Sequence, residues 1–305
     1  MIVDFHSHST ASDGALPPLE LLRRAQDNGV ELMAITDHDS IAGYLEVRDQ
    51  WNSPSMGLIP GVELSCIWGK RTIHIVGLGF DADNPVMQQG LADQQQARLK
   101  RARLIDDKLA KYGFVGSFDF VVELAGGSQI GRPHFAQFLV EKGHVANERM
   151  AFKRYLGAGK PGDIKQMWPE LAAVVGWIKA SGGAAVLAHP LHYDMTATKL
   201  RALIADFKTA GGDAVEVISG KQQSDRTQYL AQLAGQFELH ASIGSDFHKP
   251  GLPWRELGQM GVLPKSCRPV WSLLEQCNPV GTPPVSSQES RSTVDDSMSS
   301  SESVV

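Results

Sequence analysis

The sequence has few cysteines and no long apolar run. Of its 305 residues only three are cysteine, and Cys66, Cys267 and Cys277 have no Cys-x-x-Cys spacing, which argues against a disulfide framework and a thiolate zinc site. No apolar run approaches the ~20 residues that a membrane-spanning helix needs, and the N-terminus enters a strand-like segment directly. A P-loop and a Gly-x-Gly-x-x-Gly sequence are also absent. We therefore expect a cytoplasmic protein without a membrane association.

Charge is distributed unevenly along the chain. The formal net charge is -5, which argues against a protein that coats long nucleic acid. Residues 91–165 nevertheless contain thirteen Lys and Arg against eight Asp and Glu, so a basic segment lies beside an acidic body. This arrangement fits a basic lid that faces an anionic substrate.

The order of apolar segments predicts an α/β fold. We expect seven short, parallel-type strands at about residues 1–3, 32–36, 57–63, 71–77, 184–188, 214–218 and 239–243, with helices between most of them. Such an alternation favours a parallel sheet closed as a TIM-like barrel. The predicted division is a barrel of residues 1–84 and 166–277, a helical insertion of residues 85–165 and a disordered Ser-rich tail of residues 278–305.

Histidines and carboxylates follow the predicted strands. His6 and His8 are two residues apart in an extended segment and therefore point the same way. The other candidates at or near the same rim are Asp13, Asp37, His38, Glu63, His74, His134, His189, Asp246 and His248. Core packing gives histidine no preference for strand ends. His144, His192 and His240 lack such a setting, and we expect them to be structural or exposed.

This many imidazole and carboxylate groups exceeds what one ion can bind. Mixed nitrogen and oxygen ligands fit manganese, iron or zinc better than calcium. We therefore expect two to three divalent ions, manganese first. Clustered divalent ions can supply a metal-bound hydroxide at neutral pH and neutralise a leaving alkoxide, which indicates hydrolysis of a phosphate ester.

The motifs together resemble the PHP superfamily, the polymerase and histidinol phosphatase group. The resemblance rests on the segments Asp4-Phe5-His6-Ser7-His8, Thr36-Asp37-His38-Asp39, Gly61-Val62-Glu63, Arg132-Pro133-His134, Ala188-His189-Pro190 and Ser245-Asp246-Phe247-His248, together with His74. It covers about the first 277 residues. The fold it implies is a distorted (β/α)7 barrel that carries a trinuclear metal site.

The resemblance also implies a role for each residue. It implies a first ion held by His6, His8 and Asp246, a second reached through bridging Glu63 and completed by His74 and His134, and a third held by Asp13, His38 and His248. His189 is either a further contact to the third ion or the group that meets the phosphate and protonates the leaving group. Asp37 would orient a ligand from outside the metal shell. The catalytic residues it suggests are His189, Arg132 and Asp246.

The helical insertion with Gly131-Arg132-Pro133-His134 is similar to the branch of nucleoside 3',5'-bisphosphate phosphatases and 5'-to-3' exoribonucleases. Arg132 is our candidate for a bidentate contact to the reacting phosphate, and Lys221 is a weaker second candidate. The favoured function is removal of the 3'-phosphate of a nucleoside 3',5'-bisphosphate. The alternatives are a 5'-to-3' exoribonuclease on short RNA and a metal-binding regulatory domain without turnover. We expect no stable protein partner.

Overall fold

The structure is a computed structural model that describes residues 1–164 and 167–274. Cys277, the Ser-rich tail and the predicted insertion boundary at residue 165 lie outside the described residues. None of the described helices is both long enough and apolar enough to span a membrane.

The described residues form eight strands and nine α-helices. The strands are β1 (Val3–Asp4), β2 (Leu32–Ala34), β3 (Gly57–Ile59), β4 (Gly61–Trp68), β5 (Arg71–Leu78), β6 (Ala184–Leu187), β7 (Ala214–Ser219) and β8 (His240–Gly244). The helices are α1 (Pro18–Asp27), α2 (Ala42–Val47), α3 (Pro85–Ala110), α4 (Ser117–Ala125), α5 (Arg132–Glu141), α6 (Glu148–Ala151), α7 (Leu171–Ala180), α8 (Ala197–Thr209) and α9 (Ser224–Gln236). A π-helical turn, Phe152–Leu156, continues α6.

The strands belong to two sheets, of order β1-β2-β3 and β4-β5-β6-β7-β8. The prediction of parallel strands throughout is wrong for β5, which pairs antiparallel with both β4 and β6. The cause is local, because Trp68 pairs with Arg71 and only two residues connect them, with Gly69 at a φ of 59°. A two-residue turn of this kind forces a hairpin.

The predicted third strand, 57–63, is also two strands. Pro60, which has no backbone N–H to donate, separates β3 from β4. Consequently Glu63 lies inside β4 rather than at the end of a strand.

The two sheets meet at isolated bridges. Ser7 pairs with Phe247 and His38 pairs with Glu63, both in parallel orientation. The Phe5 N–H also donates to the Ile243 carbonyl at 3.1 Å. These contacts bring the C-terminal ends of several strands to one rim. The exact seven-stranded barrel is not confirmed, because the described strands form two sheets and not one continuous ring.

Helices α3 to α6 enclose a second hydrophobic core. The larger core lies between the five-stranded sheet and its helices, whereas the second includes Ile105, Leu109, Phe135 and Phe138. Helix α3 begins at the N-cap Asn84, whose side chain accepts the Val86 N–H at 2.9 Å. With 26 residues it is roughly 40 Å long, so one helix contributes to both cores. The domain boundaries themselves stay a prediction.

Gly244 allows β8 to approach His6. A Cβ at this position would lie 2.2 Å from the His6 Cβ and 2.9 Å from the Glu216 Oε1. We therefore expect Gly244→Ala to lower the free energy of unfolding by roughly 1–3 kcal/mol through overpacking, as measured by urea denaturation.

The matched control is Gly235→Ala in α9. A Cβ there meets nothing within 4 Å, so removal of a helical glycine should raise stability by about 0.5–1 kcal/mol. Equal stability of the two variants would contradict the close approach of β8 to His6.

Candidate metal centre

Nine of the predicted side chains lie in one cluster at the rim. They form four overlapping groups in which all possible ligand atoms lie within 4.8 Å of one another: His6, His8 and Asp246; His38, Glu63 and His74; His8, Asp13, His38 and His248; and His6, Glu63 and His189. The structure thus brings together residues that are up to 242 positions apart, from His6 to His248.

The Glu63 carboxylate lies at the centre of the cluster. Its Oε1 is 2.9 Å from the His74 Nδ1, 2.9 Å from the His189 Nε2 and 3.3 Å from the His6 Nε2. Its Oε2 is 2.8 Å from the His38 Nδ1 and 3.4 Å from the His8 Nε2. A fully buried carboxylate that faces five imidazoles can bridge two cations.

A second carboxylate, Asp13, faces His248 and the other ring nitrogens of His38 and His8. Its oxygens are 3.4 Å from the His248 Nε2, 3.8 Å from the His38 Nε2 and 3.8 Å from the His8 Nδ1. Asp246 links the group around Glu63 with the group around Asp13, because its Oδ1 is 3.5 Å from both the His8 Nε2 and the His248 Nδ1.

Several buried polar atoms of the cluster have no hydrogen-bond partner. They are the His6 Nε2, both ring nitrogens of His8, the Asp13 Oδ1, the His38 Nδ1, the Glu63 Oε2 and the His189 Nδ1. A buried polar atom without a partner is costly. Divalent ions bound by these nitrogen and oxygen atoms would satisfy most of them, so the residues present fit a multinuclear metal site.

The protonation of the cluster follows from burial and neighbouring charge. Burial, together with the positive charges of His248 and His38, lowers the pKa of His8 to about 3, which favours the neutral ligand form. Burial raises the pKa of Glu63, but the charges of His38, His74 and His6 outweigh it and hold that pKa well below its ordinary value. Burial lowers the pKa of His38, but Glu63 and Asp13 raise it to about 9. We therefore expect metal binding at His38 to release a proton.

Glu216 was not predicted from the sequence, but it contacts two residues of the cluster. Its Oε1 is 3.0 Å from the His6 Nδ1, and its Oε2 accepts the backbone N–H of His189. The latter bond holds His189 at a φ of 28°, an uncommon conformation for a residue with a side chain. Because a hydrogen bond to one ring nitrogen sets which nitrogen is free to bind metal, Glu216 directs the His6 Nε2 toward Glu63. The sequence signal that could have identified Glu216 is an acidic residue within an otherwise apolar strand, residues 214–218.

Two more groups hold the rim in place. Asp37 accepts the Ser9 N–H at 2.7 Å and the Ser12 hydroxyl at 2.6 Å, and so fixes the loop that leads to Asp13. The Arg255 Nη1 lies 2.8 Å from the Asp246 Oδ2, which leaves the Oδ1 for the histidines. Asp246 itself has a φ of 54°.

Three predicted residues lie differently from the others. Among the described residues His134 belongs to none of the four ligand groups, and its Nδ1 accepts the Gly131 N–H at 3.0 Å. His38 instead completes the group of Glu63 and His74, so a metal role for His134 stays a prediction. Lys221 is exposed. His189 groups with His6 and Glu63, away from Asp13.

The remaining histidines do not join the ligand groups of the described chain. His144 packs on Phe114 at 4.3 Å in the second core. His240 begins β8. His192 is exposed, but its ring stacks on that of His189 at 5.2 Å, which places it beside the cluster.

Several known proteins are similar to this chain. A model of the PHP domain matches residues 4–146. A 5'-3' exoribonuclease of Haemophilus influenzae is 46% identical over 88% of this chain and 97% of its own length. The chain belongs to the PHP family. A 3',5'-nucleoside bisphosphate phosphatase of Chromobacterium violaceum is 42% identical over 90% of this chain and 96% of its own length.

The fold of a solved PHP relative is also similar. An amidohydrolase from Chromobacterium violaceum, with bound sulfate and no metal, superposes with a TM-score of 0.82 at 41% identity, over 91% of this chain and 97% of that chain. The family resemblance inferred from the motifs is confirmed, and this PHP protein is a hydrolase of phosphate esters.

An arginine-rich cavity adjoins the metal ligands of this PHP protein. It measures about 110 Å³, and the charged and metal-binding groups that line it are Asp13, His38, His74, Asp163, Arg98, Arg101 and Arg132. We call it the arginine cavity. Of these three arginines, only Arg132 was predicted from the sequence to be functional. Burial, together with the charges of Arg132 and Arg98, lowers the pKa of Arg101 to about 9.

Glu63→Gln tests the metal assignment. The amide keeps the shape of the side chain but loses the charge that faces five imidazoles. We expect the affinity for divalent ions to fall at least roughly tenfold, as for other groups that orient or hold a metal ligand. Metal analysis after equilibrium dialysis against manganese measures the effect.

Glu46→Gln is the matched control, because Glu46 is exposed on α2. It should bind as much metal as the native protein. Full metal occupancy in Glu63→Gln would contradict the assignment.

Proposed function

We propose that this PHP protein removes the 3'-phosphate of a nucleoside 3',5'-bisphosphate and releases the nucleoside 5'-monophosphate. The observation that carries the proposal is the location of Glu63 among five imidazoles, next to a cavity with three guanidinium groups. The first feature suits phosphate-ester hydrolysis, and the second suits an anionic substrate with more than one phosphate. The name of the Chromobacterium violaceum phosphatase supports the same substrate.

We assign the metal ligands to the residues that the structure groups. The proposed set is His6, His8, Asp13, His38, Glu63, His74, Asp246 and His248, with His134 as a further candidate. Two to three ions, manganese first and iron or zinc as alternatives, would supply Lewis acidity and a nucleophilic water at neutral pH.

The protein's own groups would orient and protonate the substrate. His189 presents a buried Nδ1 without a hydrogen-bond partner, whereas its Nε2 faces Glu63. It is our candidate for the group that meets the phosphate and protonates the leaving oxygen. We also propose a catalytic role for Asp246, as a metal ligand between the group around Glu63 and the group around Asp13. Arg132 is proposed to bind substrate phosphate, and exposed Lys221 is the weaker candidate.

The second candidate function is 5'-to-3' cleavage of short RNA at the same site. The name of the Haemophilus influenzae relative favours it, as does the basic insertion. The sequence also left a regulatory domain without turnover as an alternative of another class, and the names of the two relatives, both enzymes, do not favour it. The closed seven-stranded barrel, the cytoplasmic location and the lack of a stable protein partner also stay predictions from the sequence.

A comparison of two substrates tests the proposal. With added manganese, we expect adenosine 3',5'-bisphosphate to give AMP and phosphate with a higher kcat/KM than a 5'-phosphorylated oligoribonucleotide. Phosphate release and chromatography of the products measure both. His8→Ala should lose metal and activity together.

The outcomes separate the three functions. A preference of orders of magnitude for the oligoribonucleotide would make the exoribonuclease the primary function. Bound metal without release of phosphate or nucleotide from either substrate would instead indicate a binding domain.

Arg132→Gln separates substrate binding from metal binding. The change removes a charge that lines the arginine cavity but touches none of the ligand groups. We expect kcat/KM for the bisphosphate to fall by on the order of tenfold or more, with an unchanged metal content. Loss of metal in this variant would show that Arg132 supports the metal centre instead.

A further inference from the structure

We propose that the arginine cavity binds the phosphate that does not react, the 5'-phosphate of the nucleotide, and so decides which end of a substrate enters the metal centre. This inference rests on the proposed function and assigns Arg98 and Arg101 to it. It also moves Arg132 from the reacting phosphate, its expected partner, to the second phosphate.

The charge of the cavity favours an anionic ligand. Arg98 is paired with Asp39, whose Oδ2 accepts the Arg98 Nε–H at 2.7 Å. Arg132 lies 3.6 Å from Asp163. Within the described chain Arg101 forms no ion pair, and its Nε–H donates to the Ile164 carbonyl at 3.0 Å. The three guanidinium groups thus have Asp39 and Asp163 as their nearest carboxylates, whereas the third one, Asp13, faces His8, His38 and His248. An excess positive charge in a partly buried cavity is stabilised by an anionic ligand.

The reacting phosphate does not need this charge. A phosphate on the metal centre would be neutralised by the two to three divalent ions that we propose around Glu63. The cavity instead obtains its polar anchors from beyond the rim, since Arg98 donates to the Ile130 carbonyl and Arg132 to the Leu156 carbonyl, both at 3.1 Å. The insertion therefore positions Arg98 and Arg132 through these carbonyls, in addition to the ion pair of Arg98 with Asp39 beside His38.

The guanidinium groups are also fixed before any ligand binds. The Trp168 ring is buried, and the Cζ atoms of Arg98 and Arg101 each lie 5.3 Å from its centroid. Stacking on an aromatic face restricts the orientation of a guanidinium group. A planar fork held in this way is suited to bidentate binding of a terminal phosphate.

The size and position of the cavity limit what it can hold. A volume of about 110 Å³ accommodates a phosphate group but not a whole nucleoside. Because the cavity shares Asp13, His38 and His74 with the ligand cluster, a phosphate bound there stays close to the metal ions. A 5'-phosphate in the cavity would leave the 3'-phosphoryl group for the ions. A nucleoside bisphosphate and a 5'-phosphorylated RNA share this arrangement, so one cavity serves both substrates.

The test compares substrates that differ only in the 5'-phosphate. For the native protein with manganese we expect kcat/KM to be much higher for adenosine 3',5'-bisphosphate than for adenosine 3'-monophosphate. In Arg101→Gln this ratio should fall by on the order of 10- to 100-fold, the loss expected for a charge-assisted hydrogen bond. Arg101→Lys should restore part of it.

Arg103→Gln is the matched control, because Arg103 lies on the same helix, is exposed and stacks on Phe118. Its substrate ratio should equal that of the native protein. A fall of both substrates by the same factor in Arg101→Gln would overturn the inference, since a structural role or a contact to the reacting phosphate has that effect.

A binding measurement distinguishes this inference from the proposed function. Calorimetry with metal-stripped protein should show that AMP binds more tightly than adenosine, and that Arg101→Gln removes the difference. If the native protein hydrolyses neither nucleotide, the proposed function fails while this binding difference still supports the cavity assignment. Equal binding of AMP and adenosine overturns the assignment, whatever the activity.

Discussion

The burial of one carboxylate among five imidazoles is the constraint on which the rest of the structure depends. Glu63 is inaccessible to solvent, so its charge has to be balanced by groups inside the protein. Those groups come from β1, β2, β5 and β6 or from the residues that follow them. The surrounding contacts, such as the hydrogen bond between Glu216 and His6, fix the side-chain orientation of ligands that could otherwise adopt other rotamers.

The position of Glu63 depends on the antiparallel hairpin. Since β4 and β5 are joined by two residues, Ser65 pairs with His74 and Glu63 with Val76. The Glu63 and His74 side chains therefore lie on one face of neighbouring strands, diagonal to each other. A parallel crossover between them would have needed a dozen or more residues.

The insertion is joined to the rim by a buried polar network. Asp39 follows β2 and has a φ of 49°. It accepts the Ser65 N–H at 2.6 Å and also binds Arg98 of α3. One carboxylate thereby ties β4 and the insertion to the loop beside His38. The arginine cavity and the metal ligands are consequently held at a fixed distance, which is what recognition of a substrate with two phosphates requires.

The sequence by itself determined the α/β class, the family and most of the candidate ligands, because His-x-His spacing and acidic groups near strand ends are local patterns. Helix starts such as Asn84-Pro85 were equally local. The antiparallel β5, the roles of Glu216, Arg98, Arg101 and Trp168, and the place of His38 beside Glu63 were decided only by the tertiary structure. Each depends on which strands are neighbours and on where a long side chain ends. Neither can be deduced from the spacing of residues along the chain.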